Sequence, residues 1–186
     1  MIKKHAASAF VCCAFAALVF LFLAAGCFSS PEKGNEEKTK SYAEIMNERL
    51  IIFTDCAEKF SDSLEDIAGS QSAPSDSQIA RINEALDGLK KACAGLAGQE
   101  APPEYAEAQS ALDKAMDDYA AAMEKCDVLL EFFRNYDTEF RRYKNPVEGR
   151  AEIEKQERAL YDEFAQAMAQ ASASFRSACE KFNSVN

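Results

Sequence analysis

Apolar residues recur every three or four positions along most of the chain after residue 41, which is the period of an α-helix. The pattern is most regular from about residue 76 to residue 97, where the apolar positions are Ile79, Ile82, Leu86, Leu89, Cys93 and Leu96. Alternating steps of three and four are typical of a coiled-coil-like seam, in which a helix packs nearly antiparallel to its neighbours. No segment has a convincing strand pattern, so the sequence predicts an all-α fold.

Start and stop signals delimit the first two of four predicted helices. The first begins at Ser41, because Glu44 follows three residues later as in a capping box, and it ends at Gly69. Residues 69–75 are predicted to form a loop, and Gly98 is predicted to end the second helix. The apolar stripe predicted for the first helix comprises Tyr42, Ile45, Met46, Ile52, Phe53, Cys56, Phe60, Leu64 and Ile67.

The third and fourth predicted helices are long. The third spans roughly residues 102–143, and the fourth begins at Asn145, a capping residue followed by a first-turn proline, and reaches about Phe182. Short loops favour antiparallel neighbours, so residues 42–186 are predicted to form an up-down-up-down four-helix bundle. Since the last two helices are the longest, their hairpin should project as an arm, unless the third helix breaks near Asn135.

The first 27 residues have the layout of an export signal. A basic start at residues 1–5 precedes an apolar run at residues 10–23, and small residues lead to Cys27. The segment Leu23–Cys27 resembles the lipobox of bacterial lipoproteins, which implies that residues 1–26 are a signal peptide and are removed. It also implies that Cys27 carries fatty acyl groups such as palmitate and attaches the protein to a membrane. An uncleaved membrane helix over residues 6–25, or an ordinary signal with a coincidental cysteine, are the alternatives.

This resemblance implies a location in the bacterial cell envelope. An Asp directly after the cysteine favours inner-membrane retention in that family, and this chain has Phe28 there. The expected site is therefore the outer membrane of a diderm host, or otherwise the outer face of the cytoplasmic membrane. Residues 28–41 are too polar to form a core and are predicted to be a flexible tether of about 20 Å. The remaining domain resembles helical-bundle lipoproteins of bacteria, including its Pro-Pro-Glu-Tyr helix start at 102–105.

Charge and composition exclude several classes of function. The chain of 186 residues has 31 acidic and 21 basic side chains, a net charge of -10 that argues against nucleic-acid binding. The single histidine is His5, inside the predicted signal, so no Ser-His-Asp triad, histidine zinc site or Glu-x-x-His di-iron site can form. We therefore expect no enzyme activity, no metal and no cofactor. The helically spaced carboxylate pairs are interpreted as solvated surface: Glu104 with Glu107, Asp113 with Asp117, and Glu154 with Glu157.

Four cysteines besides Cys27 lie at or next to the apolar stripes, and an exported location permits disulfides. Stacking the helices by their loops puts Cys56, Cys93 and Cys179 at similar heights, with Cys126 further along. The preferred disulfide is Cys56–Cys179, and Cys93 is the rival partner. The alternative is that all four are reduced core residues.

The segment 132–144, followed by Arg150, combines aromatic and basic side chains in an otherwise acidic chain. Arginine and tyrosine are frequent in binding hot spots, and clustered cations hold phosphate or carboxylate groups. The candidate partner-binding residues are Arg134, Tyr136, Phe140, Arg141, Arg142, Tyr143 and Lys144. The alternative is that the cations complement helix dipoles and that the aromatic residues belong to the core.

Together these patterns predict a membrane-anchored, non-catalytic binding or scaffold module whose partner is an envelope protein or polymer. The alternative function is small-molecule binding in a cavity between the helices.

Overall fold

A computed structural model describes residues 41–68 and 74–185 of the chain. Over these residues the protein is helical and has no strand, which confirms the all-α prediction. The α-helices are α1 (Tyr42–Ala68), α2 (Asp76–Leu96), α3 (Ala106–Arg134), α4 (Tyr136–Arg141) and α5 (Pro146–Val185), with a 3₁₀ turn at Pro103–Tyr105. None of these helices is long and apolar enough to cross a membrane. The predicted signal, the predicted acylation site Cys27, the predicted tether up to residue 40 and Gly69 lie outside the described residues.

Local sequence explains where the helices begin. Ser41 and Glu44 form the predicted capping box: the Ser41 N–H donates to Glu44 Oε2 at 2.7 Å, and the Glu44 N–H donates to Ser41 Oγ at 3.3 Å. A second capping box, which the sequence analysis placed in a loop, joins Ser75 and Gln78 at the start of α2. At α5, Asn145 Oδ1 accepts the Val147 N–H at 3.0 Å, as the cap prediction requires.

The third predicted helix is divided at Asn135, which confirms the alternative of a break there and not one continuous helix over residues 102–143. Its start is the 3₁₀ turn, and Asn135 separates α3 from α4. The Asn135 side-chain amide donates to the Glu131 carbonyl at 3.1 Å and to Glu131 Oε1 at 2.7 Å. Asparagine favours such local bonds over regular helix, which gives a physical reason for an interruption at this position.

The core fills the space between α1, α2, α3 and α5. Every residue of the predicted α2 stripe is buried. Aromatic rings connect α1 to the other long helices: the ring centroids of Phe53 and Phe175 are 4.7 Å apart, and those of Phe53 and Tyr119 are 5.2 Å apart. No Cα atom of α1 lies within 8 Å of one in α5. These large side chains fill the space between the two backbones.

Two members of the predicted α1 stripe are not in the core. Ile45 is 36% exposed and Ile52 is 55% exposed, although both were expected to be buried. The physical reason is rotational. Each isoleucine comes one residue before a buried side chain, Met46 or Phe53, and successive residues of a helix are turned by about 100°. The apolar arc of α1 is wider than the face that its neighbours cover.

Polar contacts between the helices define how they are paired. Between α1 and α2, and between α3 and α5, rising residue numbers on one helix meet falling numbers on the other. The contacts join Arg49 to Gly95, Asp66 to Arg81, Lys90 to Asp127, Glu107 to Lys181, and Lys125 to Glu163.

The far end of α3 and the start of α5 form an arm with α4. Among the described helices, α4 has Cα atoms within 8 Å only of α3 and α5. Ile153 of α5 is completely buried, yet it is not part of the main hydrophobic core. The arm therefore has a small packed centre of its own.

Candidate functional site

We define the tip as residues 131–152, which comprise the last turn of α3, α4, the connection to α5 and the first turns of α5. The structure brings all seven candidate partner-binding residues into this region. It separates them into two groups, because the aromatic side chains are half-buried and the basic side chains are exposed.

The aromatic residues of the tip pack on one another and on α5. Phe133 is buried, and its ring centroid is 5.8 Å from that of Phe132 and 6.0 Å from that of Tyr161. The Phe132 ring also lies edge-on to that of Tyr136, with centroids 6.1 Å apart. These contacts give the rings a structural role, and Tyr136 and Phe140 retain only part of their surface for a partner.

Tyr143 and Gly149 form the tightest contact at the tip. A Cβ atom placed on Gly149 would lie 2.7 Å from the Tyr143 Cβ and 3.0 Å from its Cγ, so no larger residue fits there without movement. The contact closes the connection between α4 and α5.

The basic side chains of the tip differ in their pairing. Arg134 forms an ion pair with Glu131 at 3.2 Å, and Arg142 forms one with Glu139 at 2.7 Å. The hydrogen bond from Asn135 and the ion pair with Arg134 lower the pKa of Glu131, which keeps it charged.

The other three basic side chains of the tip differ from Arg134 and Arg142 in their pairing. Arg141, Lys144 and Arg150 are exposed, and none has an ion-pair partner among the residues that the structure describes.

The excess of positive charge at the tip is confined to a shorter segment than residues 132–144. Across residues 131–152 the chain has five basic and five acidic side chains. Between residues 140 and 147, however, Arg141, Arg142 and Lys144 occur without any acid. The surface suited to an anionic group is therefore the connection between α4 and α5, together with Arg150.

The four cysteines of the described residues are free thiols. A disulfide requires Cα atoms within about 7 Å, and no Cα atom of α1 is within 8 Å of α5. The predicted Cys56–Cys179 bridge would therefore need these two helices to move closer. Cys56 faces Gly88, where an added Cβ would lie 3.9 Å from its Sγ. The rival partner Cys93 is five residues further along α2, roughly 7.5 Å along the helix axis.

Two of the thiols are in environments that suppress their reactivity. Burial, together with the nearby Cys56, raises the pKa of Cys93 to about 12. Burial and the negative charge of Asp127 raise the pKa of Cys126 to about 12. Because the thiolate is the reactive form, neither side chain is suited to nucleophilic or redox chemistry at neutral pH.

A buried glutamine that the sequence analysis missed connects three helices. Gln109 accepts a hydrogen bond from the Tyr42 hydroxyl, and its amide donates to the Leu96 carbonyl at 3.1 Å and to Asp113 Oδ1 at 2.6 Å. Asp113 also accepts the Gly98 N–H at 2.8 Å. Burial and the Asp113 charge raise the pKa of Tyr42 to about 12. Helical spacing could have identified Gln109 as a buried residue, because it lies four residues after Tyr105 and three before Leu112.

The carboxylates fall into surface and structural groups. Of the three predicted surface pairs, Glu104, Glu107 and Asp117 are exposed, whereas Asp113 is tied into the Gln109 network and Glu154 and Glu157 are half-buried.

Asp118, which the sequence analysis did not single out, joins α3 to α5. It accepts hydrogen bonds from Ser174 at 2.5 Å and Gln170 at 3.1 Å, and it forms an ion pair with Lys114. The Ser174 bond is the main cause of its lowered pKa. No group of three His, Cys, Asp or Glu side chains within residues 41–68 and 74–185 is arranged to hold a metal ion.

The tip is thus the part of the described chain that groups exposed basic side chains without ion-pair partners among the described residues. No family model, curated protein or solved structure matches this protein.

Proposed function

We propose that this protein is a lipid-anchored, non-catalytic binding or scaffold module of a bacterial cell envelope. In this proposal Cys27 provides the membrane attachment, and the tip provides the surface that meets an envelope protein or polymer. The observation that carries the proposal is the concentration of Arg141, Lys144 and Arg150, exposed and without ion-pair partners among the described residues, at the connection between α4 and α5.

The position of the tip relative to the tether supports this function. Phe182 near the end of α5 stacks on Tyr42 at the start of α1, with ring centroids 6.3 Å apart. From Phe182 to Pro146 the helix rises roughly 54 Å. The tip is therefore at the opposite end of α5 from the point where the tether joins the domain, well away from an anchoring membrane.

We propose that the helices form an up-down-up-down four-helix bundle, with α3 and α4 together acting as its third member. Residue numbers run in opposite directions within each pair of contacts: Arg49–Gly95 and Asp66–Arg81, Leu96–Gln109 and Lys90–Asp127, and Glu107–Lys181 and Lys125–Glu163. This supports the proposed topology. A bundle of this kind is rigid, so it can hold a binding surface at a fixed distance from the end of the bundle that follows the predicted tether.

The residue pattern from Leu23 to Cys27 supports the lipid anchor. The anchor is tested by measuring the mass of the mature chain. The expected result is an amino-terminal Cys27 that carries acyl groups, and accumulation of the precursor when the lipoprotein signal peptidase is inhibited. A chain that retains residues 1–26, or a Cys27 without acyl mass, contradicts the anchor.

The binding surface is tested by a charge-matched pair of triple variants. One variant carries Arg141→Ala, Lys144→Ala and Arg150→Ala. The control carries Lys59→Ala, Lys91→Ala and Arg176→Ala, three exposed cations that also have no ion-pair partner among the described residues. Both variants lose the same charge, so a difference between them reports the position of the charge.

Each variant is cross-linked in intact envelopes and its captured partners are compared with those of the unmodified chain. We expect the tip variant to lose the partner and the control variant to retain it. Equal capture by both variants contradicts the proposed binding surface.

A further inference from the structure

The first half of α1 carries an exposed apolar patch. Ile45, Ile51 and Ile52 are 36%, 45% and 55% exposed, and we call these three side chains the isoleucine patch. The other large exposed hydrophobic residues of the described chain are valines at positions 128, 147 and 185, far apart in sequence. Such grouping of partly exposed apolar side chains makes this part of α1 a candidate contact surface.

No described helix covers the isoleucine patch. Among the helices of the described chain, α1 has Cα atoms within 8 Å only of α2. Ile45 and Ile52 are seven residues apart, so they lie above one another on the helix, whereas Ile51 is turned about 100° away from Ile52. The three side chains therefore lie on two neighbouring faces near the amino-terminal end of α1.

We propose that the isoleucine patch contacts the lipid surface to which the protein is anchored. This inference rests on the proposed acylation of Cys27. Cys27 comes fifteen residues before Tyr42, the first residue of α1, so even a fully extended chain keeps that end of the helix within about 50 Å of the proposed anchor. Ile45 and Ile52 come four and eleven residues after Ser41, which is roughly 6 Å and 16 Å along the helix. The bilayer is thus the apolar phase within reach of the patch.

A weak contact is sufficient because the tether holds the domain near the membrane. A short flexible linker gives an effective local concentration in the millimolar range, so three partly buried isoleucines need to contribute only modest affinity. The contact is consequently conditional on the anchor, and the same patch on a free chain would bind lipid poorly.

The charges around the isoleucine patch indicate which lipids it prefers. Glu44, Glu48 and Asp55 are exposed beside it, and the Arg49 guanidinium is engaged with the Gly95 carbonyl at 2.6 Å. Acidic neighbours are repelled by anionic headgroups, so the contact is apolar and favours zwitterionic lipid.

The chain has no tryptophan, which allows a single-tryptophan test. The acylated full chain carrying Ile52→Trp is placed on phosphatidylcholine vesicles that contain brominated acyl chains. The control is Val128→Trp, because Val128 is exposed to a similar degree, 52%. We expect blue-shifted emission and several-fold stronger quenching for Ile52→Trp, with less quenching when anionic lipid is added. Equal quenching of the two reporters overturns the proposal.

Two further experiments distinguish lipid contact from the other possible occupants of the patch. In the Ile52→Trp chain, adding Ile45→Ser and Ile51→Ser should reduce quenching. A blue shift without quenching, together with a doubled mass in sedimentation, means that a second copy covers the patch and overturns the proposal. The reporters are also measured on a chain with a synthetic diacyl group coupled at residue 27. Quenching there, but no acyl mass on the native protein, refutes the proposed anchor while leaving the patch supported.

Discussion

The Tyr143 side chain packs directly on the α-carbon of Gly149, across the connection between α4 and α5. A Cβ atom on Gly149 would lie 2.7 Å from the Tyr143 Cβ, which is closer than two such carbons approach in folded proteins. Gly98 is the only described residue with a positive φ, so Gly149 is required for space and not for backbone conformation. This contact fixes the end of the arm on which the exposed cations lie.

Replacement of Gly149 should therefore destabilise the arm. We expect Gly149→Ala to reduce the free energy of unfolding by about 1–3 kcal/mol, because the added methyl group overpacks against Tyr143. Adding Tyr143→Gly should recover part of this loss, since it removes both the Cβ and the Cγ that the new methyl group would meet. Urea unfolding of the two single variants and the double variant measures the coupling energy.

A second glycine provides the control. Gly95 in α2 has no atom within 4 Å of an added Cβ, so Gly95→Ala should stabilise the protein by about 0.5–1 kcal/mol through helix propensity. Effects of the same sign at positions 149 and 95 would contradict the steric explanation.

The buried Gln109 network should be sensitive to deletion. Gln109→Ala removes the partner of the Tyr42 hydroxyl and one of the donors to Asp113, and it leaves a cavity. We expect a loss of about 2–4 kcal/mol in thermal or urea unfolding. Gln170→Ala is the control, because Gln170 is exposed and makes a single bond to Asp118, so its loss should cost under about 0.5 kcal/mol. Similar losses in both variants would show that the network contributes little.

The thiols should react with a modifying reagent in two classes. Cys56 and Cys179 are half-buried, whereas Cys93 and Cys126 are buried, with the pKa of each raised to about 12. At neutral pH under reducing-agent-free conditions, we expect alkylation at Cys56 and Cys179 first, with Cys93 and Cys126 reacting only on unfolding. Peptide mass mapping after a timed pulse of iodoacetamide distinguishes this order from uniform labelling.

The same pKa shifts predict a loss of stability in alkali. Unfolded thiols ionise near pH 8.5, and the folded thiols of Cys93 and Cys126 stay protonated to about 12. The folded state then holds more protons, so the free energy of unfolding decreases as pH rises above the unfolded pKa, by roughly 1.4 kcal/mol per pH unit for each thiol. A variant with Cys93→Ala and Cys126→Ala should give a flatter curve between about pH 9 and 11. Parallel curves would argue against this assignment.

Much of the helical framework could be predicted because its signals are local. The Ser41–Glu44 capping box, the Asn145 cap and the three-four spacing from Ile79 to Leu96 all involve residues within a few positions of one another. Hydrogen bonds at helix ends and the burial of one helix face depend on such short-range patterns. Asn135 was recognised as a possible break, but the balance between a continuous helix and an interrupted one depended on its side-chain bonds to Glu131.

The candidate site could be located from the sequence, because residues 132–144 stand out by their composition. Its two ion pairs, Glu131–Arg134 and Glu139–Arg142, are also local, since their members are three residues apart in a helix. The contact between Tyr143 and Gly149 had no signal in the sequence, because a glycine in a helix gives no indication of what approaches it.

The sequence by itself determined that this chain is helical and where most of its helices begin, because capping and apolar periodicity are properties of neighbouring residues. Only the tertiary structure decided which part of each apolar arc is covered. Ile45 and Ile52 satisfy the periodicity as well as Met46 and Phe53 do, yet they remain exposed because α1 has neighbours on only part of its surface. Burial depends on what packs against a helix, and that is a property of the whole fold.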